Sequence, residues 1–180
     1  MNKPIWLWLL AVVAVPATSQ AKRRPVIIQI RNFSCSNYIP SLLPELSCSS
    51  NKKSGEAMLS ACFSLSEAIE QFNLMVDFDI IKKDNSKINI QHVKLDGCQY
   101  LSSACKKKFQ SGIFETLFKT SNLPRECPIQ PNILYEVRNY TITLENIPMA
   151  MPALTFQVKT KFFRLKQALG DVLIVASARY

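Results

Sequence analysis

The chain has 180 residues, 22 lysines and arginines against 13 aspartates and glutamates, and a formal net charge of +9. This length suits one domain with its own core. His92 is the only histidine, and the chain has no C-x2-C pair, no G-x-S-x-G motif and no H-E-x-x-H motif. We therefore expect neither an enzyme nor a metal site, and no cofactor.

The first 21 residues are typical of a secretory signal peptide. Lys3 precedes an apolar run from Ile5 to Val15, which is shorter than the roughly 20 residues that span a bilayer. Ser19-Gln20-Ala21 places small residues where a signal peptidase cleaves. We expect cleavage after Ala21, a single domain over residues 22–180 and secretion to the extracellular space, with an uncleaved anchor as the alternative.

Six cysteines follow the targeting segment: Cys35, Cys48, Cys62, Cys98, Cys105 and Cys127. An even number in an exported chain predicts three disulfides but leaves their connectivity open. On one helix, Cys98 and Cys105 would lie about 10.5 Å apart along the axis, beyond the roughly 7 Å that a disulfide allows between Cα atoms. If these two pair, the helix must begin late, near Ala104. Two sequons, at Asn32 and Asn139, predict surface glycosylation.

Strand-like runs recur along the chain. Val26–Ile30 is apolar and β-branched and predicts a first strand, and Met58–Leu65 could be a second. Residues 36–56 have no periodicity and predict a long loop. Strict alternation follows and predicts a half-buried strand, with an apolar face made of Phe72, Leu74, Val76, Phe78 and Ile80.

A hairpin turn at residues 82–86 leads to a partner strand that carries Ile88, Ile90, Val93 and Leu95. Its apolar phase slips after Ile90, which predicts a bulge near His92. After Cys98 the spacing of Phe109, Ile113 and Leu117 predicts one helix, and residues 133–144, 153–163 and 172–175 add three strands. About seven strands and one helix favour a mainly-β sandwich.

The apolar inventory and the basic runs suggest two kinds of contact. Lys106-Lys107-Lys108 could bind acidic lipid headgroups, although a solvated helix face is the commoner use of such a run. Export and the lack of interleaved aromatics argue against nucleic acid. The apolar residues either line a cavity or fill an ordinary core; the candidates are Phe72, Leu74, Val76, Phe78, Ile88, Ile90, Phe109, Ile113, Phe156, Val158 and Phe162.

Two motifs carry a family resemblance over roughly residues 30–180. Asp96-Gly97-Cys98-Gln99-Tyr100-Leu101 and, after the helix, Ser121-Asn122-Leu123 with Cys127-Pro128-Ile129 resemble an insect family of secreted proteins of unknown function. That family includes the Che-type chemosensory proteins and is similar to the ML lipid-recognition superfamily. The resemblance implies an immunoglobulin-like β-sandwich that admits a lipid between its sheets, and it favours a Cys98–Cys105 disulfide.

We therefore expect a secreted, non-enzymatic protein that encloses a small apolar ligand (a lipid or hydrocarbon, such as a pheromone) as carrier or presenter. The Ile147–Pro152 loop and the helix near Phe109–Phe118 are candidate gates. The alternative is a secreted module that acts through its surface. A cell-surface receptor and an anionic membrane surface are the candidate macromolecular partners.

Overall fold

The computed structural model describes residues 27–53, 56–105, 112–142 and 152–179. The expected signal peptide, Lys106–Lys108, Phe109 and residues 147–151 of the expected loop lie outside these ranges, as do the side chains of Cys105 and Ile113. The elements in chain order are β1 (Ile27–Asn37), β2 (Glu45–Lys53), β3 (Glu56–Ser64), β4 (Asn73–Ile81), β5 (Lys87–Asp96), α1 (Gly97–Cys105), α2 (Gly112–Lys119), β6 (Tyr135–Thr141), β7 (Leu154–Arg164) and β8 (Gln167–Arg179).

The strands form two antiparallel sheets that face each other. The larger sheet has the order β1-β8-β7-β4-β5 and the smaller one the order β2-β3-β6. The Cys35–Cys48 disulfide joins β1 of the larger sheet to β2 of the smaller. The expectation of a mainly-β sandwich is confirmed. The described residues form eight strands and two helices rather than seven and one.

The β4–β5 hairpin agrees with the alternation in the sequence. Lys82 N–H donates to the Ser86 carbonyl across the turn at 2.9 Å, and Asn85 has a φ of 65°, a conformation that asparagine tolerates better than most residues. The register shifts opposite Phe78 and Asp79, where Ile90 is the extra residue of β5. The bulge expected near His92 is therefore present, two residues earlier.

The prediction of a long loop over residues 36–56 is wrong for the second half of that range. A short turn covers residues 38–44, and β2 then pairs with β3 from Glu45–Ser64 to Lys53–Glu56. The β2 segment is rich in serine, lysine and asparagine and lacks apolar alternation. It forms a strand because it is an edge strand held by β3 and by the Cys35–Cys48 bridge, and neither is visible in its own residues.

The expected Cys98–Cys105 pair is also wrong. Helix α1 begins at Gly97, directly before Cys98, because Asp96 caps it: the Asp96 carboxylate accepts from Gln99 N–H at 2.9 Å. Both cysteines then lie on one helix, too far apart to bond. Cys98 bonds Cys127 instead, and Cys62 is free, so the three predicted disulfides do not all form.

One end of the sandwich holds a packed core. Its buried members come from the 38–44 turn, the 65–74 segment, the region before β6 and its first residue, and β8. They are Leu42, Leu43, Leu65, Ile69, Phe72, Leu74, Ile129, Tyr135 and Leu169. Mutual Ile69–Ile129 backbone hydrogen bonds of 2.9 and 3.1 Å hold two of these segments together. Neither described helix has the length and apolar character needed to cross a bilayer.

Candidate ligand cavity between the sheets

The register of the larger sheet places an apolar face toward the smaller sheet. Phe162 of β7 lies opposite Leu74 of β4 and Gly170 of β8. Because side chains alternate along a strand, the two-residue steps from these positions share the same face. On β8 these steps are Val172 and Ile174. They lie opposite Cys35 and Phe33 of β1.

A cavity of about 510 Å³ lies between the two sheets. This volume is within the roughly 300–1,000 Å³ of small-molecule sites. None of the described residues that line it is charged. They are Phe33, Cys35, Leu43, Leu46, Leu59, Ala61, Cys62, Phe63, Leu65, Ile69, Phe72, Leu117, Leu123, Val137, Tyr140, Thr160, Phe162, Leu169, Gly170, Val172 and Ile174.

The packed core forms one end of this cavity, since Leu43, Leu65, Ile69, Phe72 and Leu169 belong to both. Gly170 lets the backbones of β1 and β8 approach at this end. A Cβ there would lie 2.7 Å from the Ser36 carbonyl oxygen and 3.2 Å from Leu46 Cδ2. A side chain at position 170 would thus both collide with the backbone and reduce the space between the sheets.

The predicted cavity residues fall into several places. Phe72 and Phe162 line the cavity, and Leu74 belongs to the packed core. The remaining β4 and β7 candidates share the inner face but do not line the cavity: Val76, Phe78, Phe156 and Val158. Phe78 and Phe156 instead stack on each other, with ring centroids 5.6 Å apart. Contact of any of these residues with a ligand stays a prediction.

Ile88 and Ile90 do not line the cavity. They are 42% and 54% exposed on β5, which is the edge strand beyond β4 and carries the bulge at Ile90. Ile113 lies in α2, whose Leu117 does line the cavity.

Most of the remaining lining residues were not predicted because the sequences of their strands do not show which side chains face inward. Val172–Val175 is a continuous apolar run, and such a run does not indicate which residues face inward. In β1 a register shift after Ile30 changes which residues face the cavity. Thr160 lies between Val76 and Val172 in the sheet. It has the same place in the alternation of β7 as Phe156, Val158 and Phe162, and this alternation could have identified it as a cavity residue.

The outer face of the larger sheet is polar. Asp171 is 2% exposed, and Lys159 Nζ lies 3.0 Å from its carboxylate. Burial raises the pKa of Asp171, but hydrogen bonds from Tyr38, Lys159 and Ser36 and the charge of Lys159 outweigh burial, so its pKa lies below the usual value. The hydrogen bond with Asp171 in turn raises the pKa of Lys159.

His92, the residue that any histidine-dependent hydrolase would need, also lies on β5 of this outer face. Its Nδ1 is 2.5 Å from Asp77 Oδ1, its side chain is 46% exposed, and it does not line the cavity. Within the described ranges, no group of three histidine, cysteine, aspartate or glutamate side chains could hold a metal ion. Asn32 and Asn139 are both exposed, as glycosylation requires.

A basic groove of about 530 Å³ lies at the end of the larger sheet where β7 begins and β8 ends. Its cations are Arg31, Lys82, Lys83 and Arg179, and the hydroxyls of Thr155 and Ser177 are beside them. None of the four cations forms an ion pair with an acidic residue of the described ranges. Within the described part of the chain, ion pairs therefore do not neutralise the positive charge of the groove.

Comparison with known proteins gives one partial family match. Residues 76–158, from β4 to β7, match a family described as a protein of unknown function (DUF1091). This agrees with the resemblance of the two motifs to a family of proteins of unknown function. No curated protein matches the chain.

Among solved structures, a Niemann-Pick type C2 protein from the Japanese carpenter ant is similar over 84% of this chain and 98% of that chain, at 15% identity and a TM-score of 0.39. The two-sheet architecture is defined by the strand pairing described above.

Proposed function

We propose that this is a secreted, non-enzymatic binding protein that encloses a small apolar ligand, a lipid or hydrocarbon, between its sheets as carrier or presenter. The observation that carries the proposal is the cavity of about 510 Å³, whose described lining has no charged residue. Apolar walls with few polar groups are typical of small-molecule sites. More specifically, we propose that the ligand is a pheromone and that the protein acts in a chemosensory setting.

Energetics favour reversible binding. Burying a chain of ~16 carbons at about 0.8 kcal/mol per methylene contributes roughly 12 kcal/mol before costs. Association itself costs about 4–15 kcal/mol. At the lowest of these costs the difference is about 8 kcal/mol, which corresponds to a dissociation constant of roughly a micromolar. Binding is therefore at most micromolar, which suits a protein that picks up its ligand and releases it.

The proposal of export rests on the signal peptide expected at residues 1–21. The disulfides Cys35–Cys48 and Cys98–Cys127 support it, because such bridges persist in oxidising compartments. Glycosylation at Asn32 and Asn139 belongs to the same proposal. Of the two candidate partners, an anionic membrane is supported by the basic groove, since clustered lysine and arginine side chains attract acidic headgroups. A cell-surface receptor has no comparable support.

The test uses the full chain, secreted from eukaryotic cells. We expect native mass spectrometry of the purified protein to detect a co-purifying lipid. We also expect a neutral fluorescent probe to bind with saturation and to be displaced by a long-chain hydrocarbon. A folded protein that carries no lipid and takes up no probe would remove the carrier role and leave the surface-acting module.

The membrane partner is tested with vesicles. We expect the protein to sediment with vesicles that contain phosphatidylserine and not with pure phosphatidylcholine, and to dissociate as salt is raised. Lys82→Glu with Lys83→Glu should weaken this binding, because both cations line the groove. Lys94→Glu with Lys166→Glu, two exposed charge reversals outside the groove, is the matched control. Equal loss in both variants would contradict a specific basic groove.

A further inference from the structure

Tyr140 faces the cavity because of an irregularity in β6. Val137 lies opposite Ala61 of β3, but Tyr140, three residues later, lies opposite Leu59, only two residues away. The extra residue is accommodated by Asn139, whose φ is 50° and whose N–H donates to Ser60 Oγ at 3.0 Å. Without this bulge, strict alternation would turn Tyr140 away from the face that carries Val137.

The Tyr140 side chain lies in the cavity wall, and its hydroxyl has no hydrogen-bond partner among the described residues. Tyr140 is 9% exposed and lines the cavity, yet its hydroxyl makes no hydrogen bond to any described residue. By contrast Tyr135, buried on the same strand, donates to the Gln130 carbonyl at 3.3 Å. Burial raises the pKa of Tyr140, which keeps its hydroxyl protonated and able to donate. Its hydroxyl is not among the fully enclosed, unpaired side-chain atoms of the described residues, so it borders accessible space where a hydrogen-bond acceptor can reach it.

Thr160 provides a second hydroxyl, from the opposite sheet. It also lines the cavity, between Val76 and Val172 in the register of the larger sheet, where valine would fit the surrounding pattern. Its hydroxyl likewise makes no hydrogen bond to a described side chain or carbonyl. The described cavity wall therefore contains two side-chain hydroxyls and no charged group. The sulfurs of Cys35 and Cys62 are only weakly polar.

We propose that the cavity selects neutral apolar molecules that carry one oxygen function, such as a long-chain ketone, aldehyde, ester or alcohol, whose oxygen accepts a hydrogen bond from Tyr140. This inference rests on the proposed carrier function and narrows its ligand class. A carboxylate is excluded from this class, because a charge buried without a cation is costly. A pure hydrocarbon enters the cavity but leaves both hydroxyls unpaired.

The experiment compares three compounds of equal chain length: an alkane, its methyl ketone and the carboxylic acid. Each displaces a neutral fluorescent probe from the full chain. In the wild-type protein we expect the ketone to bind about 2–10-fold more tightly than the alkane, the worth of one net hydrogen bond. Tyr140→Phe should abolish this preference and leave alkane binding unchanged. Tyr135→Phe, which removes a hydroxyl outside the cavity, should keep it.

The outcomes separate the two proposals. If neither alkane nor ketone binds the folded wild-type protein, the carrier function itself fails. If both bind but the ketone has no advantage, or keeps its advantage in Tyr140→Phe, the carrier function stands and this inference is overturned. The acid should bind better as the pH falls and it becomes neutral; tight binding of the acid at neutral pH would also overturn the inference. If Tyr140→Phe does not fold, the comparison of alkane, ketone and acid in the wild-type protein still tests the inference.

Discussion

Gly97 lies where α1 starts against the ring of Phe72. A Cβ at position 97 would lie 2.2 Å from Phe72 Cε2, and the Gly97 N–H donates to the Phe72 carbonyl at 2.8 Å. We expect Gly97→Ala to lower the free energy of unfolding by about 1–3 kcal/mol, the usual cost of an added group in a packed core. Urea denaturation measures this. Gln99→Ala, exposed in the same helix, is the control, and equal stability of the two variants would argue against the close approach.

Asp171 should make the domain sensitive to acid. Its folded-state pKa lies below the usual value, so its stabilisation is complete above the unfolded-state pKa of about 3.9 and is lost as the pH falls through the folded-state pKa. We expect Asp171→Asn to cost about 1–3 kcal/mol at neutral pH, with the difference from wild type shrinking below about pH 4. Denaturation at several pH values measures it, and a difference that grew in acid would contradict this sign.

The elements that the sequence failed to predict share one property: partners distant in the chain stabilise them. The turn before β2 contains Pro40 and Pro44, and β2 itself lacks apolar alternation, yet it pairs along its whole length with β3. The N-cap at Asp96 was readable as a helix start. The family resemblance favoured a disulfide that required a later start, and for this reason the pairing of Cys98 was predicted incorrectly.

The Cys35–Cys48 bridge should matter most to β2. It closes a loop with a sequence separation of 13 between the two sheets. Loop-closure entropy predicts a loss of about 2–4 kcal/mol when Cys35 and Cys48 are both replaced by serine. Thermal unfolding measures the loss. Cys62→Ser is the control, because Cys62 is free and should change stability little. Non-reducing peptide mapping that found Cys62 in a disulfide would contradict the assigned bridges.

At the scale of the molecule, the gap between the sheets can be filled by design. Ala61 lies in the smaller sheet and lines the cavity, so Ala61→Phe places a ring in the space proposed for the ligand. We expect probe affinity to fall roughly tenfold or more, while stability is kept or raised because apolar surface is buried. Ser49→Phe, exposed on β2, is the control. Undiminished probe binding by Ala61→Phe would move the binding site elsewhere.

The amino-acid sequence by itself determined the strands with strict alternation, the β4–β5 hairpin with its bulge, and the mainly-β class. These follow from local patterns of period two and from turn residues, which act within a few positions of one another. It also supplied the apolar residues without indicating whether they fill a core or surround a space.

Only the tertiary structure decided that Phe72 and Phe162 line a cavity while Leu74 belongs to the core alone. The same holds for Tyr140, which a bulge in β6 turns inward. The reason is that the separation and register of two sheets depend on contacts between distant segments. No periodicity within one strand records how far away the opposite sheet lies.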